Sequence, residues 1–155
     1  MNTYLIIKTL HIFGATILFG TGIGIAFFMF RSYFTNDMNE KFYAVRNTVL
    51  ADYLFTFPAA LIQPISGAWL VWKSGFDGTS LWLTTTYVIY FVIGLCWLPV
   101  VWIQIQLKKM LQQSIQNKGE LPDRYHKLFR IWFLLGWPAF IGLVVILFLM
   151  VVKPV

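Results

Sequence analysis

The chain alternates long apolar runs with short polar ones. Four runs are long enough to cross a hydrocarbon core, which takes about 20 apolar residues as a helix. They extend from about Tyr4 to Phe30, from about Val49 to Trp72, from about Leu81 to Leu107 and from about Leu128 to Val152. Little chain lies outside them. The pattern therefore predicts one all-α domain over residues 1–155, a four-helix transmembrane bundle. The first run is expected to remain as a helix rather than to be a cleaved leader. It is too long for one, Lys8 and His11 interrupt it, and no Ala-x-Ala site follows.

The connections differ in kind. Ser32 to Thr48 carries Asp37, Glu40, Lys41 and Arg46 and reads as a polar connection. Lys73 to Ser80 is short and contains Gly75 and Gly78, which predicts a tight antiparallel hairpin of the second and third spans. Lys108 to Lys127 is the most polar, and Gln112, Gln113 and Gln116 predict that the third helix continues beyond the membrane and breaks at Gly119. Pro58, Pro64, Pro99 and Pro138 fall inside apolar runs. Each removes a backbone hydrogen bond and is expected to kink its helix.

Composition narrows the class. Hydrophobic residues make up 59% and charged residues only 12%, against about 25% charged in soluble domains. That excludes a water-soluble globule and a disordered chain. One Cys excludes a disulfide framework and a multi-Cys metal site within one chain. The net charge of +6 is unevenly placed. Nine of the twelve basic residues (Arg31, Lys41, Arg46, Lys108, Lys109, Lys118, Arg124, Lys127, Arg130) fall on one side of the spans, and Lys8, Lys73 and Lys153 on the other. The positive-inside rule then puts both termini outside, in a bacterial inner membrane facing the periplasm. Attraction to anionic lipid accounts for the basic excess, so no nucleic-acid partner is expected. Trp69, Trp72 and Trp82 gather at the expected outer boundary.

Ionisable groups inside a span are costly and are functional candidates by default. Lys8 can extend its ammonium to the interface. His11 cannot, from roughly 10 Å down. Gln63 and Tyr87, with Tyr90, fall at about the same depth, about 10 Å by helix rise, and could form one polar layer with His11. Three readings of His11 stand open: an interhelical hydrogen bond to Gln63 or a tyrosine, a haem or other cofactor ligand, and proton transfer. Asp52 is the only acid within a span and calls for an arginine partner among Arg31, Arg46 and Arg130. That pair is read either as a structural ion pair or as a site for an anionic head group or a propionate. A bis-His haem from His11 and His126 in one chain is not expected, because the two lie near opposite faces. The lone Cys96 and scattered methionines argue against copper transport. No GxSxG, P-loop, HExxH or CxxC motif occurs.

Gly20 and Gly24 form a GxxxG pair in the first span. Such pairs let helices approach closely, either within the bundle or as a homodimer face. Contacts with other membrane subunits form part of the same expectation.

Three segments carry a family resemblance: Lys8-Thr-Leu-His11, Asp52-Tyr-Leu-Phe-Thr-Phe-Pro58 and Gln63-Pro64-Ile-Ser-Gly67. Over nearly the whole chain they resemble a bacterial family of predicted integral membrane proteins of unknown function. That family is distantly similar to HemJ-type protoporphyrinogen oxidases and CopD-like four-helix membrane proteins. The end of the chain, Phe129-Arg130-Ile-Trp132 onward to Val151-Val152-Lys153-Pro154, is similar to the HemJ terminus. The resemblance implies haem b at His11, and the polar layers read from depth add Gln63, Tyr87, Asp52 and Arg130 as cofactor-binding candidates. The third span departs from HemJ, since Leu81 to Leu107 holds no Lys and no His. The remaining expectation is a non-enzymatic membrane subunit or scaffold whose buried polar residues are structural.

Overall fold

The computed structural model describes residues 2–154 and contains only helices and turns among them. Helix α1 is Thr3–Ser32 and α2 is Met38–Ala51. A π turn, Asp52–Thr56, joins α2 to α3, Phe57–Ser74. Helices α4, Leu81–Asn117, and α5, Asp123–Val152, complete the chain. Four helical stretches are long and apolar enough to cross a membrane, with α2, the π turn and α3 acting as one. At a rise of about 1.5 Å per residue, even the shortest of these reaches about 45 Å, beyond the roughly 30 Å of a hydrocarbon core.

Local chemistry sets the ends. The Asn2 side chain accepts from the Tyr4 amide and starts α1, and Asp37 does the same for α2 through the Asn39 amide. Gly75 ends α3 in a left-handed conformation that glycine adopts without penalty. The predicted break at Gly119 falls one residue earlier. Lys118 takes the left-handed position, and Gly119 N–H returns to the Ser114 carbonyl. The polar stretch 32–48 is not a loop: only residues 33–37 separate α1 from α2.

Pro58 accounts for the π turn. It has no N–H to give the Leu54 carbonyl, and its ring crowds that carbonyl in an α-helix. The turn before it widens, so that the Phe57 N–H reaches the Asp52 carbonyl. Asp52 and Thr56 are both buried as a result.

Packing is uneven along the bundle. One end holds most of the basic residues, and the other holds the start of α1 and the end of α5. At the basic end Met29, Val45, Val100, Ile103, Leu107 and Phe129 form a closed core. The helices pack chiefly as two pairs, α1 with α3 and α4 with α5, bridged by α2 between α1 and α4 and by the stacked Phe19 and Phe140 of α1 and α5. The second and third spans run antiparallel across a short connection, as expected, but not as a tightly packed pair. Side chains bridge the interval instead: Tyr90 donates to the Ala60 carbonyl, and Phe57 stacks on Trp97. Outward-facing side chains such as Phe28, Ile65, Phe91 and Val151 are exposed. In water that surface would drive aggregation, whereas in lipid it is the required exterior.

Candidate functional site

Three polar clusters interrupt the apolar interior. The first fastens α1 to α3 in the terminal half. Gln63 Nε2 donates to the His11 carbonyl at 2.8 Å, and His11 Nδ1 lies 2.8 Å from Ser66 Oγ. Ser66 already gives its hydrogen to the Ile62 carbonyl at 2.6 Å. With its hydrogen there, its oxygen is free to accept from Nδ1–H, the tautomer that would leave the imidazole lone pair on Nε2.

Two glycines make room for this arrangement. A Cβ on Gly14 would stand 2.9 Å from Gln63 Nε2, and one on Gly67 would stand 3.2 Å from His11 Cε1. Each helix thus seats its polar side chain over a glycine of the other. The expected layer of His11 and Gln63 is present, but Tyr87 does not join it. Tyr87 is exposed on the outer face of α4, and Tyr90, turned inward, bonds Ala60 instead. Lys8 lies over the Tyr4 ring at 6.0 Å, toward the end of the helix.

The second cluster surrounds Asp52, about 21 Å along the helix from Ser66. The carboxyl is 3% exposed. Thr56, Gln104 and Trp97 face it, and no arginine does. The expected ion pair is therefore absent: Arg46 lies against Phe42 and Tyr43, and Arg130 is exposed. Arg130 instead borders a shallow groove of about 390 Å³ with Phe30, Tyr33, Phe34, Phe129 and Phe133.

The third cluster closes the basic end. Tyr33 Oη lies 3.1 Å from His126 Nδ1, and its ring stacks on Phe129 at 4.4 Å. Lys41, nearly buried, donates to the Ser32 and Tyr33 carbonyls at the end of α1. Tyr33 follows His11 by 22 residues, so the two histidines stand about 33 Å apart along α1. Among the described residues no group of three or more His, Cys, Asp or Glu side chains could hold a metal ion.

Ser66, Thr56 and Trp97 did not stand out in the sequence. Ser66 lies one turn from Gln63, which could have placed it on the same face. Trp97 sits mid-helix, away from the boundaries where tryptophans gather, and that position was its only signal.

Four long apolar helices, a lipid-compatible exterior and polar groups confined to interhelical clusters define a polytopic α-helical membrane protein. The chain belongs to the DUF2269 family of predicted integral membrane proteins, whose model matches residues 5–154. No curated protein and no solved structure gives a significant match.

Proposed function

We propose that this membrane protein binds a haem- or porphyrin-type cofactor through His11. The carrying observation is the anchored imidazole. A ligating histidine typically gives its other ring N–H to a fixed acceptor, which holds the tautomer and ring plane. Ser66 is such an acceptor, and it leaves Nε2 as the ligating nitrogen. His11 would be the one histidine of this chain to hold the group, because His126 belongs to the cluster at the other end. Bound haem would supply one-electron chemistry, and the chain's part would be to hold and orient it. Tyr87, Asp52 and Arg130 lie outside the His11 cluster, which leaves Gln63 and Ser66 as the supporting residues. The basic excess on one side supports an inner-membrane location with both termini outside.

The test is an absorbance spectrum of protein purified in detergent after expression with ample haem. A Soret band lost in His11→Ala and weakened in Ser66→Ala is expected. Purified protein without such a band, under the same supply, overturns the reading.

A second reading is favoured by the same bonds. His11, Gln63 and Ser66 fasten α1 to α3, as polar side chains do in membrane bundles. The protein would then be a non-enzymatic subunit or scaffold. Cβ atoms on Gly20, Gly22 and Gly24 would meet nothing within 4 Å. That strip is therefore open to a second copy or another subunit. Cross-linking in membranes that Gly24→Val abolishes would support pairing there.

A further inference from the structure

The Asp52 cluster has a chemistry separate from His11. Asp52 is 3% exposed, Gln104 2% and Thr56 8%. Asp52 Oδ2, Gln104 Oε1, Thr56 Oγ1 and Trp97 Nε1 are all buried without a hydrogen-bond partner. Thr56 O–H and Trp97 N–H point toward the carboxyl as donors, but neither closes a full hydrogen bond to Oδ2, and no cation stands beside it. A partnerless buried polar atom is destabilising, and an uncompensated buried ion more so. A buried acid thus faces only neutral polar groups, whose hydrogen bonds to it are incomplete.

A counter-ion does not supply it. The elements packed on the π turn are α1, α2 and α3, and α4 contributes Trp97 and Gln104. Their cations nearest in depth are Arg31, Lys41, Arg46 and Lys108. None faces the carboxyl. Lys41 is committed to the end of α1, and Arg46 to two aromatic rings. At the terminal end, Lys8 and Lys73 are farther still.

We propose that Asp52, with Thr56, Trp97 and Gln104, forms an intramembrane proton-binding site. One proton taken from water forms an O–H bond on the carboxyl and removes its charge. The same hydrogen gives Gln104 Oε1 or Thr56 Oγ1 the donor it lacks. Trp97 N–H then donates to the other carboxyl oxygen. A single small ligand thus meets both deficits, and the π turn before Pro58 is what carries Asp52 and Thr56 inward together.

The test is infrared spectroscopy of the protein in lipid nanodiscs at neutral pH. The expected result is a carbonyl stretch of a protonated carboxyl that shifts in deuterium oxide and is lost in Asp52→Asn. A hydrophobic carbodiimide, which adds to protonated carboxyls within membranes, should label the Asp52 peptide. If Asp52→Asn fails to fold, Thr56→Val or Trp97→Phe should move the band without removing it. An ionised carboxylate with no protonated band overturns the proposal. So does a protonated band or label that sodium chloride abolishes and choline chloride does not, since that would make the site one for sodium.

Discussion

Gln63 can reach the His11 carbonyl because residue 14 is glycine. The Gln63 amide nitrogen lies 2.9 Å from where a Cβ at Gly14 would stand, and donates across the interface at 2.8 Å. An added methyl would meet the far end of a flexible side chain, so the steric cost is small and the hydrogen bond is what is lost. Gly14→Ala should destabilise the protein by about 0.6 kcal/mol, the average for interhelical bonds in membranes, and by no more than about 1.7 kcal/mol. Unfolding in mixed micelles measures it. In a Gln63→Leu background the added effect of Gly14→Ala should shrink, and a fully additive pair would show that the bond contributes nothing.

That contact also separates what could be read in the sequence from what could not. The spans were legible because lipid demands long apolar runs, and the shared depth of His11 and Gln63 followed from helix rise. Which side of each helix faces inward was not legible. Lipid is as apolar as the interior, so an embedded helix shows little contrast between its faces. Tyr87 and Tyr90 lie at nearly one depth, yet Tyr87 faces out and Tyr90 in. Asp52 suggested an arginine partner on charge alone. The π turn, a backbone response to Pro58, turned it toward Trp97 and Gln104 instead.

Lys41 should matter more than its place in a polar stretch suggests. Its ammonium is nearly buried, lies 5.3 Å from the Tyr33 ring centre and donates to the last carbonyls of α1. A cation there also favours the negative end of the helix dipole. Lys41→Met should leave buried carbonyls without donors and cost about 1–3 kcal/mol. Amide exchange around residues 29–34 should quicken with it. Lys109→Met, at an exposed position, should change neither.

The short α3–α4 connection should respond only to strong acid. Asp77 accepts from the Thr79 amide at 2.9 Å and from the Thr79 hydroxyl at 2.7 Å. These bonds, the backbone one foremost, hold its carboxyl below the usual carboxylate range. A lowered folded value gives stabilisation that is complete above the unfolded value of about 3.9 and is lost as pH falls through the folded one. The Thr79 amide shift in an NMR titration should therefore stay constant down to about pH 4 and move only below it. Asp77→Asn should keep the turn and abolish the titration. A midpoint at or above the unfolded value would contradict these hydrogen bonds.

Gly142 of α5 lies directly against Ile89 and Ile93 of α4, and it should tolerate substitution poorly. A Cβ there would stand 2.8 Å from Ile93 Cγ1, 2.9 Å from Ile93 Cδ1 and 3.1 Å from Ile89 Cγ2. Unlike the amide over Gly14, these atoms cannot swing clear. Ile89 Cγ2 is fixed directly to a Cβ, and β-branched side chains in helices have one strongly preferred rotamer. Gly142→Val must therefore push the helices apart, at about 1–3 kcal/mol for overpacking. Gly136, on the same helix, has open space where its Cβ would be. Gly136→Val should leave the unfolding midpoint nearly unchanged. Ile93→Ala should recover part of the loss in the Gly142→Val protein, because it removes the two closest atoms. Equal sensitivity at Gly136 and Gly142 would mean that helix propensity, not the α4–α5 contact, decides the outcome.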